Sequence, residues 1–238
     1  MHCLPNIFMI CQVQSMKGHV EMKPVIGLGA GGHAKVVIDL IRLQGEYDVI
    51  GLLDPKRELW QRTVSGIPVL GSDELLSELR QQGVHHAFIG LGTTGDLHPR
   101  RRLYELACEH GFEVISAKHP KAIIASSVMI GRGATIMAGA IINADAQIGE
   151  DVIVNTGAII EHDCRIGSHV HIATGACLAS TVTVGDNSHI GLGASIRQCI
   201  RIGRNVIVGA GAVVVDDVPD GVVVVGVPAR IIREVKAA

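Results

Sequence analysis

Aromatic side chains are nearly missing from this chain: only 3% of its 238 residues are Phe, Tyr or Trp, although 47% are hydrophobic. That scarcity excludes a broad core built on rings and favours a slim interior of stacked aliphatic residues. Charge of one sign is also scarce. A net charge of −2 offers neither a nucleic-acid footprint nor attraction to an anionic membrane. No apolar run approaches the roughly 18 residues of a membrane-spanning helix, so we expect no membrane insertion. The six cysteines (Cys3, Cys11, Cys108, Cys164, Cys177, Cys199) form no CxxC pair and no disulfide-like spacing. Reduced thiols in a cytoplasmic protein are the simplest reading. Residues 1–22 lack the basic start and sustained apolar stretch of a signal peptide, and read as a disordered leader ahead of the first strand. Also missing are GxSxG, HExxH and any Cys–His pairing that singles out a nucleophile.

What the chain has is a six-residue beat. From Ile124 through Ile130, Ile136, Ile142, Ile148 and Val154 to Val214, every sixth residue is aliphatic. Two positions earlier the residue is usually small or β-branched, as at Ala134, Ala140, Val152, Ala158 and Cys164. Glycine often follows the beat, as at Gly131, Gly149, Gly167 and Gly185. Period six fits neither a helix nor a flat strand. It marks a hexapeptide parallel β-helix, three short faces to a coil of about eighteen residues. The beat residue fills a triangular lumen, the small residue packs beside it, and the following glycine is expected to bend the backbone at a corner.

Ahead of the beat, strands and helices alternate. Pro24–Leu28 reads as a strand, followed by the turn Gly29-Ala30-Gly31-Gly32-His33 and a helix over Lys35–Leu43. Tyr47–Leu53 is a second strand ending at Asp54. Ser72 reads as the N-cap of a helix through Gln82, stopped by Gly83. His86–Gly90 is a third strand, the polar loop Gly92–Asp96 leads to a basic helix over Arg100–His110, and Phe112–Ile115 is a last strand. After Val214 the period breaks, and Pro219, Gly226 and Pro228 predict an irregular exit with a basic tail (Arg230, Arg233, Lys236). The expected fold class is thus α/β plus all-β. A small Rossmann-like parallel domain occupies residues 23–118, and a parallel β-helix with its tail occupies 119–238.

Two constellations could carry chemistry. Gly29–Gly32 lies between a strand and a helix, where free N–H groups and the helix dipole favour a phosphate. The short domain suits one mononucleotide better than a dinucleotide, and Asp54 sits where a carboxylate can bond a ribose hydroxyl. In the solenoid, His162 falls two positions past a beat and so points outward, with Asp163 beside it to hold its tautomer. Ser180 lies one coil further on, and its N–H is a candidate oxyanion donor. His171 is half a coil from His162, with His189 stacked over it. Two outward side chains on opposite sides of one prism cannot converge on a substrate, so this spacing predicts an active site between neighbouring copies. His162, His169, His171 and His189 do not match the spacing of β-helix zinc hydratases, and no metal is expected.

These residues resemble a known family. The opening GLGAGGHAKVV, the LLD ending the second strand, the HP at 119–120, the core NTGAIIEHDCRIGSHVHIATGACLAS and the closing GVPAR resemble the NeuD-type acyltransferases, over residues 23–232. The resemblance implies a left-handed β-helix, a homotrimer, and acetyl-CoA as co-substrate for acetylating the amine of a nucleotide-linked amino sugar. Carried over residue by residue, it implies that His162 is the general base, Asp163 its partner, and Asn155 an active-site asparagine. His171, Ser180, Gly193, Gly211 and Arg230 would meet acetyl-CoA. Gly29, Ala30, Gly31, Gly32, His33 and Asp54 would hold the nucleotide sugar. Ser180 departs from the glycine common at its position, and the loop over Gly90–Asp96 is longer than usual. O-acetylation of sialic acid or another sugar, a β-helix zinc hydratase and a non-catalytic assembly module stay open at this stage.

Overall fold

The computed structural model describes residues 22–235, so the expected leader (except Met22) and Lys236 lie outside the described residues. The first unit contains β1 (Lys23–Leu28), α1 (Gly32–Gln44), β2 (Tyr47–Leu53), β3 (Thr63–Val64) and β4 (Ile67–Gly71). It continues with α2 (Leu76–Gln81), β5 (His86–Ile89), α3 (His98–Glu109) and β6 (Glu113–Val114). The strands form one sheet in the order β3-β4-β2-β1-β5-β6. Apolar clusters pack on both of its faces, so β1 is covered twice. Val25, Ile26 and Leu28 are accordingly at most 1% exposed, as a central parallel strand requires. Strand order reverses at β1: β2 and β4 lie on one side of it, β5 and β6 on the other. That reversal opens a crevice at the carboxyl ends of β1 and β5.

Two local expectations are corrected. The β3–β4 hairpin is antiparallel and absent from the sequence reading. Ser72 makes no capping bond; it precedes a tight 3-10 turn, Asp73–Leu75, and α2 starts only at Leu76. Packing sets this turn, because Leu75 closes over Gly71, where a Cβ would lie 2.9 Å from the leucine side chain.

From Ala117–Lys118 onward, two-residue strands recur every six residues and stack into three parallel sheets. Ile136 pairs with Val154, Val154 with Ile172 and Ile172 with Ile190, a step of one coil each. The beat residues from Ile136 to Val214 are buried, with the preceding small residues among them. Ile124 and Ile130, at the start of the stack, are only half-buried. Cys164 fills an inward slot at 0% exposure, and burial pushes its thiol up.

The expected role of the glycine after the beat is corrected as well. A Cβ at Gly149 would lie 2.7 Å from the backbone of Gly167 and Ser168 in the next coil. Close coil stacking, and not a bend, therefore excludes a side chain there. The left-handed corner comes two residues later, at positions such as Asp145, Asp151, Gly157, Asp163 and His169. The expected irregular exit is instead a strand pair. Val222–Val225 extends the sheet beside Ile207–Val208, and Arg230–Glu234 runs antiparallel along it. Adding strands here covers a sheet edge, a stronger demand than local turn composition.

The two units share one apolar cluster, in which Met137 and Ile153 of the solenoid join Val37, Ile41 and Phe88 of the sheet domain. This contact lays the carboxyl end of the sheet against one solenoid face.

Candidate active site

At the strand-order reversal, β1 and β5 are each followed at once by a glycine, Gly29 and Gly90. The Gly90 N–H donates to Leu28 O at 2.7 Å, and a Cβ at Gly90 would lie 2.4 Å from Gly29 O. No side chain fits between these strand ends. Asp54 pins the neighbouring turn: its carboxylate accepts from the Ala30 N–H (3.0 Å) and the Lys56 N–H (3.0 Å). Gly31 is the N-cap of α1, without a side-chain cap, and Gly31 and Gly32 are exposed beside open space. The first amides of α1 thus face an accessible cradle with the positive end of the helix dipole behind it.

His33 and His171 come from different units and sit within the same electrostatic environment. His33 approaches Arg100 Nη1 at 3.5 Å, and its pKa is pushed down to about 3 by burial, then by Arg100 and His171. His171, 6% exposed, is held down to about 4 by burial, then by His189 and Arg100. His189 lies edge-on to His171, ring centroids 4.9 Å apart.

Hydrogen bonding also decides the His171 tautomer. Asn155 Oδ1 accepts the Thr156 N–H at 2.8 Å, which turns its Nδ2 toward His171 Nε2 at 3.1 Å. An amide nitrogen only donates, so Nε2 must accept. The ring proton is therefore on Nδ1, and donates to Thr93 O at 2.8 Å. Neutral His171 has no free N–H; the second amide hydrogen of half-exposed Asn155 is the available donor beside it.

His162 lies elsewhere. Its Nδ1 is 2.7 Å from Asp163 Oδ2, and both side chains are 56% exposed. The pair occupies a solenoid corner with Asp163 in the left-handed region (φ 60°), a conformation aspartate tolerates. With Nδ1–H committed to the carboxylate, Nε2 is left as a proton acceptor open to solvent. His171 is instead on the face packed against the sheet domain. One chain therefore holds the two imidazoles apart.

Residues 25–106 match the PglD N-terminal domain, residues 145–180 the bacterial transferase hexapeptide (six repeats) and residues 181–215 the hexapeptide repeat of succinyl-transferase. A histidine-to-asparagine variant of perosamine N-acetyltransferase from Caulobacter crescentus, solved with CoA and GDP-perosamine, is 42% identical. It superposes with a TM-score of 0.83, the match covering 91% of this chain and 100% of that one. The chain belongs to this family of PglD-type hexapeptide N-acetyltransferases.

Two further relatives of this PglD-type family are the acetyltransferase domain of PglB from Neisseria gonorrhoeae FA1090 and a curated Bacillus subtilis (strain 168) protein. The first, solved with acetyl coenzyme A, is 38% identical with a TM-score of 0.81, covering 89% of this chain and 100% of that one. The second, a UDP-N-acetylbacillosamine N-acetyltransferase, is 38% identical over 117 residues, 49% of this chain and 52% of that relative. That match spans about half the curated protein's length.

The remaining residues that the resemblance assigned in this PglD-type chain are placed as follows. Ser180 is one coil beyond His162, whose carbonyl accepts the Thr181 N–H at 3.0 Å; the Ser180 N–H meets no acceptor among the described residues. Gly193 and Gly211 stand in a column with Gly157 and Gly175 on one exposed corner, with open space where side chains would project. Arg230 is exposed on the last strand, 3.5 Å from Asp216. Among the described residues no cluster of three His, Cys, Asp or Glu side chains could hold a metal ion, and no helix is long and apolar enough to cross a membrane.

Arg100, Asp151 and Thr93 were missed as site residues. One signal was available for Arg100: it shares the buried helical stripe of Tyr104 and Ala107, at spacings of four and seven. No spacing in the sequence points to Thr93, whose contribution is a backbone carbonyl.

Proposed function

We propose that the chain transfers the acetyl group of acetyl-CoA to the amine of a nucleotide-linked amino sugar, at a site shared between copies of a homotrimer. The observation that carries this reading is the separation of its two halves. The cradle at Gly29–His33 sits with His171, which this reading moves from the acetyl-CoA side, where the resemblance put it, to the acceptor side, while the His162–Asp163 pair is exposed on another corner. A neighbouring copy would bring the two halves together. The complexes of the relatives with CoA and GDP-perosamine and with acetyl coenzyme A support the substrate classes. We place the reaction in the cytosol, in keeping with the free thiols Cys108, Cys177 and Cys199.

In this mechanism the amides of α1 bind the diphosphate, and Asp54 holds the turn that presents them. The sugar amine attacks the thioester carbonyl carbon. His162 Nε2 takes the proton that the nitrogen loses, a step worth roughly 10²–10⁴ in rate, and Asp163 stabilises the imidazolium. The tetrahedral oxygen is met by the Ser180 N–H and the spare Asn155 amide hydrogen. The C–S bond breaks, and the CoA thiolate leaves with the proton returned by His162. The open glycine corner at Gly193 and Gly211 suits a thin pantetheine chain, and Arg230 its phosphates. A panel of UDP-, GDP-, dTDP- and CMP-linked amino sugars with thiol-release detection tests the reading. We expect turnover with one class and none in His162→Ala, which still binds acetyl-CoA by calorimetry. Wild-type kcat in that variant would remove the mechanism.

A further inference from the structure

We propose that Arg100 is a positioning residue for the acceptor half of the site: paired with Asp151, it ties the loop after β5 to the solenoid and so sets where Thr93 holds His171. The proposal rests on the acetyl-transfer reading above only for its kinetic consequence.

Arg100 is 2% exposed and Asp151 1% exposed, and Arg100 Nη2 lies 2.8 Å from Asp151 Oδ1. A buried pair of this kind adds little net stability, because desolvation offsets the attraction. What it adds is direction. Arg100 Nη1 donates to Ile89 O at 3.1 Å and Leu91 O at 2.8 Å, the two carbonyls where β5 passes into the loop. Nη1 thus holds both carbonyls, while the guanidinium faces the solenoid carboxylate as an ion pair without a hydrogen bond from Nη2 or Nε. Thr93, two residues beyond Leu91, then meets His171 Nδ1.

The solenoid side is braced as well. Asp151 Oδ2 accepts from His169 Nδ1 at 3.1 Å, and His169 lies edge-on to Tyr104 of α3. The Tyr104 hydroxyl donates to Glu150 Oε2 at 3.1 Å. Helix α3 thus grips the corner Glu150-Asp151 through Arg100 and Tyr104, one turn apart. The same guanidinium faces His33 of α1 and His171 of the solenoid, with His189 the remaining titratable neighbour, and opposes protonation of either imidazole. The side chain that positions the loop therefore also adds to the burial that keeps both imidazoles neutral.

The test uses the full-length protein with Arg100→Lys, and Arg100→Gln combined with Asp151→Asn so that no buried charge is left unpaired. Kinetics with GDP-perosamine and acetyl-CoA should show the acceptor KM rising about tenfold while the acetyl-CoA KM moves by less than about twofold. Independently of any substrate, the His171 Nδ1 proton, observed by nitrogen-15 NMR, should exchange with solvent about tenfold faster than in wild type, as the Thr93 bond loosens. Equal movement of both KM values, or a lowered melting temperature with neither KM changed, would reduce Arg100 to a structural prop. An unchanged Nδ1 resonance and exchange rate in a folded variant would overturn the proposal outright. If wild type fails to turn over GDP-perosamine, that acceptor alone is excluded, the KM arm moves to whichever acceptor class the panel identifies, and the NMR arm still decides the positioning role.

Discussion

Acidification should destabilise this protein through two buried imidazoles. An unfolded His33 or His171 takes up a proton below about pH 6.5. In the fold they stay neutral until about 3 and about 4. The unfolded state therefore binds more protons across that window, so stability is complete above about pH 6.5 and declines as pH falls through it. At about pH 5 each site costs about 2 kcal/mol, or about 4 kcal/mol together. For a chain of this length, that lowers the melting temperature by roughly 8–16 °C between pH 8 and pH 5. Scanning calorimetry at fixed protein concentration measures it. His171→Gln, which cannot be protonated, should remove a substantial part of the decline, with His33 and the likewise buried His189 carrying the rest. Equal melting temperatures at both pH values, or an undiminished decline in His171→Gln, would refute the reasoning.

Four further outcomes follow from named contacts. Gly149→Ala forces a Cβ to 2.7 Å from backbone that cannot yield, and should cost more than about 3 kcal/mol in urea unfolding. Gly157→Ala meets only its φ of 67°, and should cost about 1–2 kcal/mol; the reverse order would show that the corner, not coil spacing, is the tighter constraint. Asp54→Ala frees the Ala30 and Lys56 N–H groups, and should raise the acceptor KM more than it lowers kcat in steady-state assays; an unmoved KM would displace the nucleotide cradle. Asn155→Asp places a carboxylate against His171 Nε2, and should shift the His171 titration upward by NMR. An unchanged titration would discredit the tautomer deduced here.

Periodicity alone specified the solenoid, because only a coil with three six-residue faces buries an aliphatic residue at every sixth position. It also placed His162 outward and put His189 over His171, since stacking in steps of eighteen is a matter of counting. The Gly29 turn and the main strands were equally legible, each being a local pattern of burial and chain reversal. Less visible were the β3–β4 hairpin and the final strand pair, where neighbouring edges and not local composition decide the pairing. The glycines after the beat were seen but misread, because their constraint comes from a backbone one coil away.

Sequence by itself thus determined the sheet domain followed by the prism, and pointed to His162 and the Gly29–His33 turn as candidates for chemistry. Tertiary structure alone decided which of them meet. It set the sheet's carboxyl end against the face carrying His171, gave that ring its Nδ1 proton, and buried Arg100 against Asp151, 51 positions away in the chain. The physical reason is range: lumen packing repeats every six residues and leaves a period, whereas a hydrogen bond across a domain contact is made once and leaves none.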